Sequence, residues 1–319
     1  MTLAEAEALF ARMLDGGMDD AEIAATLVEL ADRGETAEEI AGAALAMRAT
    51  MIPVKAPANA IDVCGTGGDG QHSLNISTAV AIVVAACGVP VAKHGNRAAS
   101  SKAGAADTLE ALGLNLAHAS TKAEMTLAEI GIAFFFAQAH HPALGRLAPI
   151  RKGLGRPTIF NLIGPLANPA SVTRQLVGVA RPEMVPLYRD ALALLGAETA
   201  LIVSGEEGLD ELSIAGPSRI VAIGLDLPDG TMSPEQVGLP RHALEALRGG
   251  DAAFNAAALR RLLMGEPGAY RDAVLLNAAG ALIVAGEAAS WRDGVKEAAE
   301  ALDKGLAKAL LDCWIDTVR

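Results

Sequence analysis

Ile61-Asp62-Val63-Cys64-Gly65-Thr66-Gly67-Gly68-Asp69-Gly70 is an apolar run that ends in a glycine turn, and Asn75-Ile76-Ser77-Thr78 then opens a helical stretch as far as Cys87. Strand, glycine loop and helix in that order are the start of an α/β sheet. Four glycines in six positions let backbone N–H groups crowd around an anion and permit positive φ. The helix start adds its partial positive charge, and Ser73, Asn75, Ser77 and Thr78 add donors. A lone glycine turn would more often be ordinary capping. The Asp and the polar helix start beside it favour a phosphate loop. The loop lacks G-x-x-x-x-G-K-[ST], so a P-loop NTPase is not expected. A dinucleotide-binding fold is not expected either.

Working outward, short apolar runs alternate with helical stretches. The runs are Ile61–Cys64, Val89–Ala92, Ile132–Phe136, Gln175–Val179, Ala200–Val203 and Ile220–Ile223. The helices are Thr78–Cys87, Thr108–Leu112, Lys122–Ile130 and Pro182–Leu195. Before the first strand lie three short helical patterns opened by capping boxes, Thr2 with Glu5, Asp19 with Glu22 and Thr36 with Glu39. Between His141 and Ala170 the strand signal lapses, and this stretch is read as helical and packed on the N-terminal unit. The C-terminal third carries three long helical patterns, of which Asp272–Ala285 is almost wholly apolar. The expected fold class is α/β. A small all-helical domain, 1–58 with helices from 142–170, precedes an α/β domain, 59–319. The latter has a central, largely parallel sheet flanked by helices.

Composition narrows the function. The chain has 319 residues, 51 % apolar and only 3 % aromatic, so its core must rely on small aliphatic side chains. A net charge of −12 argues against a broad nucleic-acid surface. Cys64, Cys87 and Cys313 form no C-x-x-C pair, and reduced thiols of a cytoplasmic protein are the plain reading. The amphipathic, acidic start is unlike a signal peptide. The longest uncharged run, 73–92, is broken by Gly88 and Pro90 and is no membrane span.

Three further constellations carry chemistry. Lys93-His94-Gly95-Asn96-Arg97, with Ser100-Ser101-Lys102, sets a dense group of donors after an apolar run, which suits a phosphate or diphosphate. Gly205-Glu206-Glu207-Gly208-Leu209-Asp210-Glu211 gathers four carboxylates on a turn, either an acidic surface loop or Mg²⁺ ligands completed by substrate phosphates. His140-His141 lacks a nearby Cys or carboxylate, and adjacent side chains point apart, so zinc is not expected. Arg151 is either a surface charge or a bidentate partner for a carboxylate.

To these add A-D-x-L-E-x-L-G at 106–113, T-I-F-N-L-I-G-P-L-A-N-P at 158–169 and G-L-D-E at 208–211. In this order, from Leu9-Phe10 to about Leu310, the motifs resemble the anthranilate phosphoribosyltransferase family. The resemblance implies transfer of phosphoribosyl from 5-phosphoribosyl 1-diphosphate to the amine of anthranilate in tryptophan synthesis. It also implies a homodimer through the helical domain and two Mg²⁺ per monomer. By position, Gly65, Gly68, Asp69, Ser73, Asn75, Ile76, Ser77 and Thr78 would hold the diphosphate sugar. So would Lys93, His94, Gly95, Asn96, Arg97, Ala98, Ala99, Ser100, Ser101 and Ala105. Gly65, Asn96 and Arg151 would meet anthranilate, and Ser77, Asp210 and Glu211 would bind metal. No general acid or base is implied. The family's usual S-G-S-A-D is here Ala103-Gly104-Ala105-Ala106-Asp107, without the two hydroxyls, and Pro157 stands where an Arg is usual. A pyrimidine nucleoside phosphorylase would carry K-M-S-G-R-G in place of K-H-G-N-R. A non-catalytic nucleic-acid-binding relative would need eroded phosphate motifs and a basic groove.

Overall fold

The computed structural model describes residues 1–98 and 101–319. The chain begins with α1 (Leu3–Asp15), α2 (Asp20–Arg33) and α3 (Ala37–Thr50), and each opens with the expected capping box. Then follow β1 (Ile61–Gly65), α4 (Ile76–Ala86), β2 (Val91–Gly95), α5 (Ala105–Leu112), α6 (Leu116–Thr121), α7 (Ala123–Glu129) and β3 (Ile132–Phe136). The stretch read as helical holds α8 (Ala137–His140), α9 (Leu144–Leu154) and two short 3₁₀ turns. It packs on the first helices: Arg146 donates to the Met18 carbonyl at 2.6 Å, and Arg156 pairs with Asp32 at 2.6 Å.

After β4 (Arg174–Gly178), α10 (Val185–Leu194) and β5 (Thr199–Gly205), the chain turns back into β6 (Ser218–Ile223) and β7 (Gly230–Met232). The sheet order is β3-β2-β1-β4-β5-β6-β7, parallel through β5 and antiparallel beyond it. Four helices close the fold, one more than expected: α11 (Ala252–Leu263), α12 (Ala269–Ala285), α13 (Trp291–Asp303) and α14 (Leu306–Thr317).

Each strand sends alternate residues to opposite faces. Ile61, Val63, Val91, Phe134, Leu176, Leu201 and Val203 join a cluster with α4, α5 and α11–α14. Val177, Ala200 and Ile202 join a second cluster with α1–α3, α9 and α10. Both faces are therefore covered, as parallel sheets require.

The strand order places a switch point between β1 and β4, where successive crossovers depart in opposite directions. Ligands of open α/β sheets bind outside the strand ends at such a point. Gly65, Gly67 and Gly70 do keep the G-x-G-x-x-G spacing, so the loop by itself does not argue against a dinucleotide site. The end of β2 does: it reads Lys93-His94-Gly95 and carries no acid to take a ribose hydroxyl.

Candidate active site

At the switch point Gly65 of β1 lies opposite Gly178 of β4. A Cβ on either would overlap Asp210, so both glycines exist to admit that residue. Gly67, Gly68 and Gly70 have φ of +68°, +76° and +72°, and a Cβ on any of them would meet nothing within 4 Å. These three are required by backbone conformation, and the space before them is open. The Gly67 N–H donates to Asp210 Oδ2 at 2.7 Å. Asp69 Oδ1 accepts from the Gln71 N–H at 3.1 Å, while its Oδ2 is shut away from solvent with no partner. Ser73 pairs through its backbone with Arg248.

The start of α4 is joined to the acidic turn. The Ser77 N–H donates to Glu211 Oε1 at 3.1 Å. Lys93 is 3 % exposed and donates from Nζ to the Val63 carbonyl at 2.7 Å and to Ser77 Oγ at 3.3 Å. Asp69, Ser77, Lys93, Asp210 and Glu211 thus form one group. Desolvation, then Asp69, raises the Asp210 carboxyl well above the ordinary range. Desolvation, then Asp210, does the same for Glu211, and Lys93 offsets only part of it. Among the described residues no three His, Cys, Asp or Glu converge as a metal cage. A cation here would need phosphate oxygens to complete its shell, as Mg²⁺ does in substrate complexes. The unpartnered Asp69 oxygen and the mutual repulsion of the acids fit a divalent cation. Glu207 does not join them; it accepts from Ser213 Oγ.

The remaining expected residues divide. Ile76 and Thr78 are buried, and the Thr78 hydroxyl has no partner. Gly95 lies under the Phe134 ring and Ala105. Asn96 is exposed, and its Oδ1 accepts from the Arg97 N–H at 2.8 Å. The Arg97 guanidinium is engaged within the chain. It pairs with Asp107 at 2.7 Å and Glu110 at 2.6 Å and lies 5.5 Å from the Phe136 ring centre. The Ala98 N–H donates to Asp107 Oδ2, and Ser101 Oγ donates to the Ala103 carbonyl. Ala99 and Ser100 lie outside the described residues.

His94 is expected among the phosphate donors, but its ring lies on the sheet face opposite Lys93. Its Nδ1 is 2.9 Å from the Gly164 carbonyl, its backbone N–H donates to Asp62, and its ring centre is 5.3 Å from that of His141. Burial holds it neutral, with a pKa lowered to about 3. His140 points away from His141, onto the Phe135 ring. Arg151, on α9, lies 5.5 Å from the Phe160 ring centre. Burial lowers its pKa, and among the described residues it forms no ion pair with a carboxylate.

Sequence reasoning missed the residues that hold these groups. Asn75 Oδ1 accepts from Thr108 Oγ1 at 2.5 Å and Asn255 Nδ2 at 2.9 Å, and its carbonyl accepts from the Tyr270 hydroxyl at 3.1 Å. Asn168 Nδ2 reaches both Asp62 and the Ala92 carbonyl at 2.7 Å, tying the 158–169 motif to β1 and β2. The signal for Asn168 was inside that motif.

Known proteins resemble the chain in sequence and fold. Residues 1–51 match the helical bundle domain of a glycosyl transferase family, and residues 57–308 match its a/b domain. An anthranilate phosphoribosyltransferase from Novosphingobium aromaticivorans is 67 % identical over 317 residues, 98 % of this chain and 95 % of that protein. One from Sphingopyxis alaskensis is 64 % identical, over 98 % of this chain and 94 % of that protein. The crystal structure of the Thermus thermophilus enzyme superposes with a TM-score of 0.95 at 43 % identity, covering 100 % of this chain and 96 % of that one. The Saccharomyces cerevisiae enzyme, in complex with PRPP and Mg, gives 0.89 at 30 % identity, over 99 % of this chain and 92 % of that one. By motif order, fold and relatives alike, this chain belongs to the anthranilate phosphoribosyltransferase family.

Proposed function

We propose that this site transfers the 5-phosphoribosyl group of 5-phosphoribosyl 1-diphosphate to the amine of anthranilate, releasing pyrophosphate, in tryptophan biosynthesis. The observation that carries the reading is one group of facing charges at the switch point. Asp69, Asp210 and Glu211 are three acids with a single lysine, beside glycine amides that open onto free space.

The diphosphate would lie on the 65–70 amides and the start of α4, with Lys93 taking up negative charge as it leaves. Ser77 would hold one Mg²⁺ and Asp210 with Glu211 a second, neutralising the departing pyrophosphate. Arg151 would take the anthranilate carboxylate, with Asn96 and Gly65 near the ring. An aromatic amine carries a free lone pair at neutral pH. The residues' work is therefore orientation and charge stabilisation, and no general base is assigned. We further assign 1–58, with 142–170, as a helical domain and the surface of a homodimer, and place the protein in the cytoplasm. No helix among the described residues is long and apolar enough to cross a membrane.

The test is anthranilate fluorescence. It should fall on addition of 5-phosphoribosyl 1-diphosphate with Mg²⁺ and hold steady with either omitted. Loss of signal in EDTA-treated, metal-free protein would overturn the metal assignment. No loss under any condition would overturn the function.

A further inference from the structure

Helix α12 is apolar along most of its buried length, yet its centre carries Asn277, which is 0 % exposed. A buried amide is retained only where its hydrogen bonds are made. Asn277 makes three. Its Oδ1 accepts from the Leu212 N–H at 2.8 Å, and its Nδ2 donates to the Leu212 carbonyl at 2.9 Å and to the Ala273 carbonyl at 2.9 Å. The first two grip both main-chain groups of one residue, as a neighbouring strand would. That residue directly follows Asp210-Glu211.

Seven positions earlier on the same helix, two turns away and on the same side, stands Tyr270. Its hydroxyl donates to the Asn75 carbonyl at 3.1 Å, at the foot of the turn that carries Ser77. One rigid helix therefore holds the backbone beneath each of the two groups of proposed metal ligands. Between them, the Ser77 N–H meets Glu211 Oε1.

We infer that α12 is the positioning element of the cation site. Asn277 fixes the Asp210-Glu211 turn, Tyr270 fixes the Asn75–Ser77 turn, and together they set the spacing at which cation and diphosphate are bound. The inference rests on the metal reading above. Neither side chain is a catalytic residue, since each acts through backbone that carries another.

The test uses full-length protein and reads binding without turnover. Mn²⁺ and inorganic pyrophosphate are titrated calorimetrically, beside anthranilate binding and the melting temperature of metal-free protein. Tyr270→Phe removes one hydroxyl and keeps the ring. Asn277→Asp keeps the acceptor and loses both donors. Each variant should weaken Mn²⁺–pyrophosphate binding about 10-fold or more, the usual loss when an outer-shell partner is removed. Anthranilate binding should stay within about twofold of wild type, a difference of under ~0.5 kcal/mol. A merely structural role would lower the melting temperature and leave the metal titration unchanged in folded protein, and that result overturns the inference. If Asn277→Asp does not fold, Tyr270→Phe decides alone by the same criterion. Asp210→Asn with Glu211→Gln serves as reference. If that double variant binds Mn²⁺ and pyrophosphate as wild type does, the metal reading fails. If it loses binding while the α12 variants keep it, only the positioning role fails.

Discussion

Two acid-bearing segments lie beyond the strand ends near the switch point, and they treat their charge differently. In 97–110 every acid has its partner. Asp107 takes the N–H groups of Ala98 and Gly104 on one oxygen and Arg97 on the other, and Glu110 takes the same guanidinium. In 205–211 Glu207 is taken by Ser213, but Asp210 and Glu211 have no cation paired with them among the described residues. Burial, and then the repulsion of Asp69 on Asp210 and of Asp210 on Glu211, raises both carboxyls. Arg151 is the converse, a sheltered cation without an acid among the described residues. Charges neutralised within the chain build the scaffold; charges left uncompensated await a ligand.

The contrast breaks first at Asp210. Asp210→Asn should cut turnover by about 10²–10³-fold, the range for losing one charge-stabilising group in a site. Metal-free protein should melt no lower than wild type at pH 8, because a repelled carboxylate is gone. A large fall in melting temperature with near-normal rates would reverse the assignment. Next, Arg151→Ala should raise the Michaelis constant for anthranilate about 10–100-fold, the worth of a charged hydrogen-bonded pair. Initial rates should show the constant for the diphosphate sugar moving far less. Equal shifts in both would remove Arg151 from the acceptor side. On the compensated side, Asp107→Ala should cost about 1–2 kcal/mol in urea unfolding, since two N–H groups lose their acceptor.

The smallest effect is with pH. His94 and His141 are buried neutral, at about 3 and about 4, so the unfolded chain takes up their protons first and stability falls as pH drops below 6.5. The raised carboxyls act in the opposite direction, because there the folded state binds the proton first and is favoured as pH falls. The two slopes oppose each other in metal-free wild type. Removing the carboxyls with Asp210→Asn and Glu211→Gln should uncover the histidine slope, an extra loss of about 1 kcal/mol between pH 7 and pH 6. Matching urea midpoints for the two proteins at both pH values would remove this opposition.

Much of this was legible in the sequence. Short apolar runs located the first six strands and capping boxes the N-terminal helices, because both are local signals. Strand direction is not local, so nothing marked β6 as antiparallel. At three residues, β7 is too short to show alternation. The fourth C-terminal helix was hidden because α13 and α14 are separated only by Lys304 and Gly305, the latter at φ +72°. The position of His94 is not legible because the apolar run stops at Ala92 while the strand continues to Gly95. Carried to Gly95, its alternation puts Lys93 and His94 on opposite faces. The glycine loop and the G-L-D-E turn were visible as composition. That Arg97 is already engaged was not, since its partners lie ten and thirteen residues on, across a turn.

The grip of α12 bears on how the protein comes into being. Its hydroxyl and amide act on backbone 195 and 65 residues earlier in the chain. A growing polypeptide can release Gly65–Gly70, Lys93 and even Asp210-Glu211 from the ribosome and still lack their final support. At about 5–20 residues per second, that interval lasts several seconds at least. The same helix gives Val274, Leu276 and Leu282 to the aliphatic cluster on the sheet face it covers, so the support of the site and the core beneath it are completed together, in the last fifth of the chain.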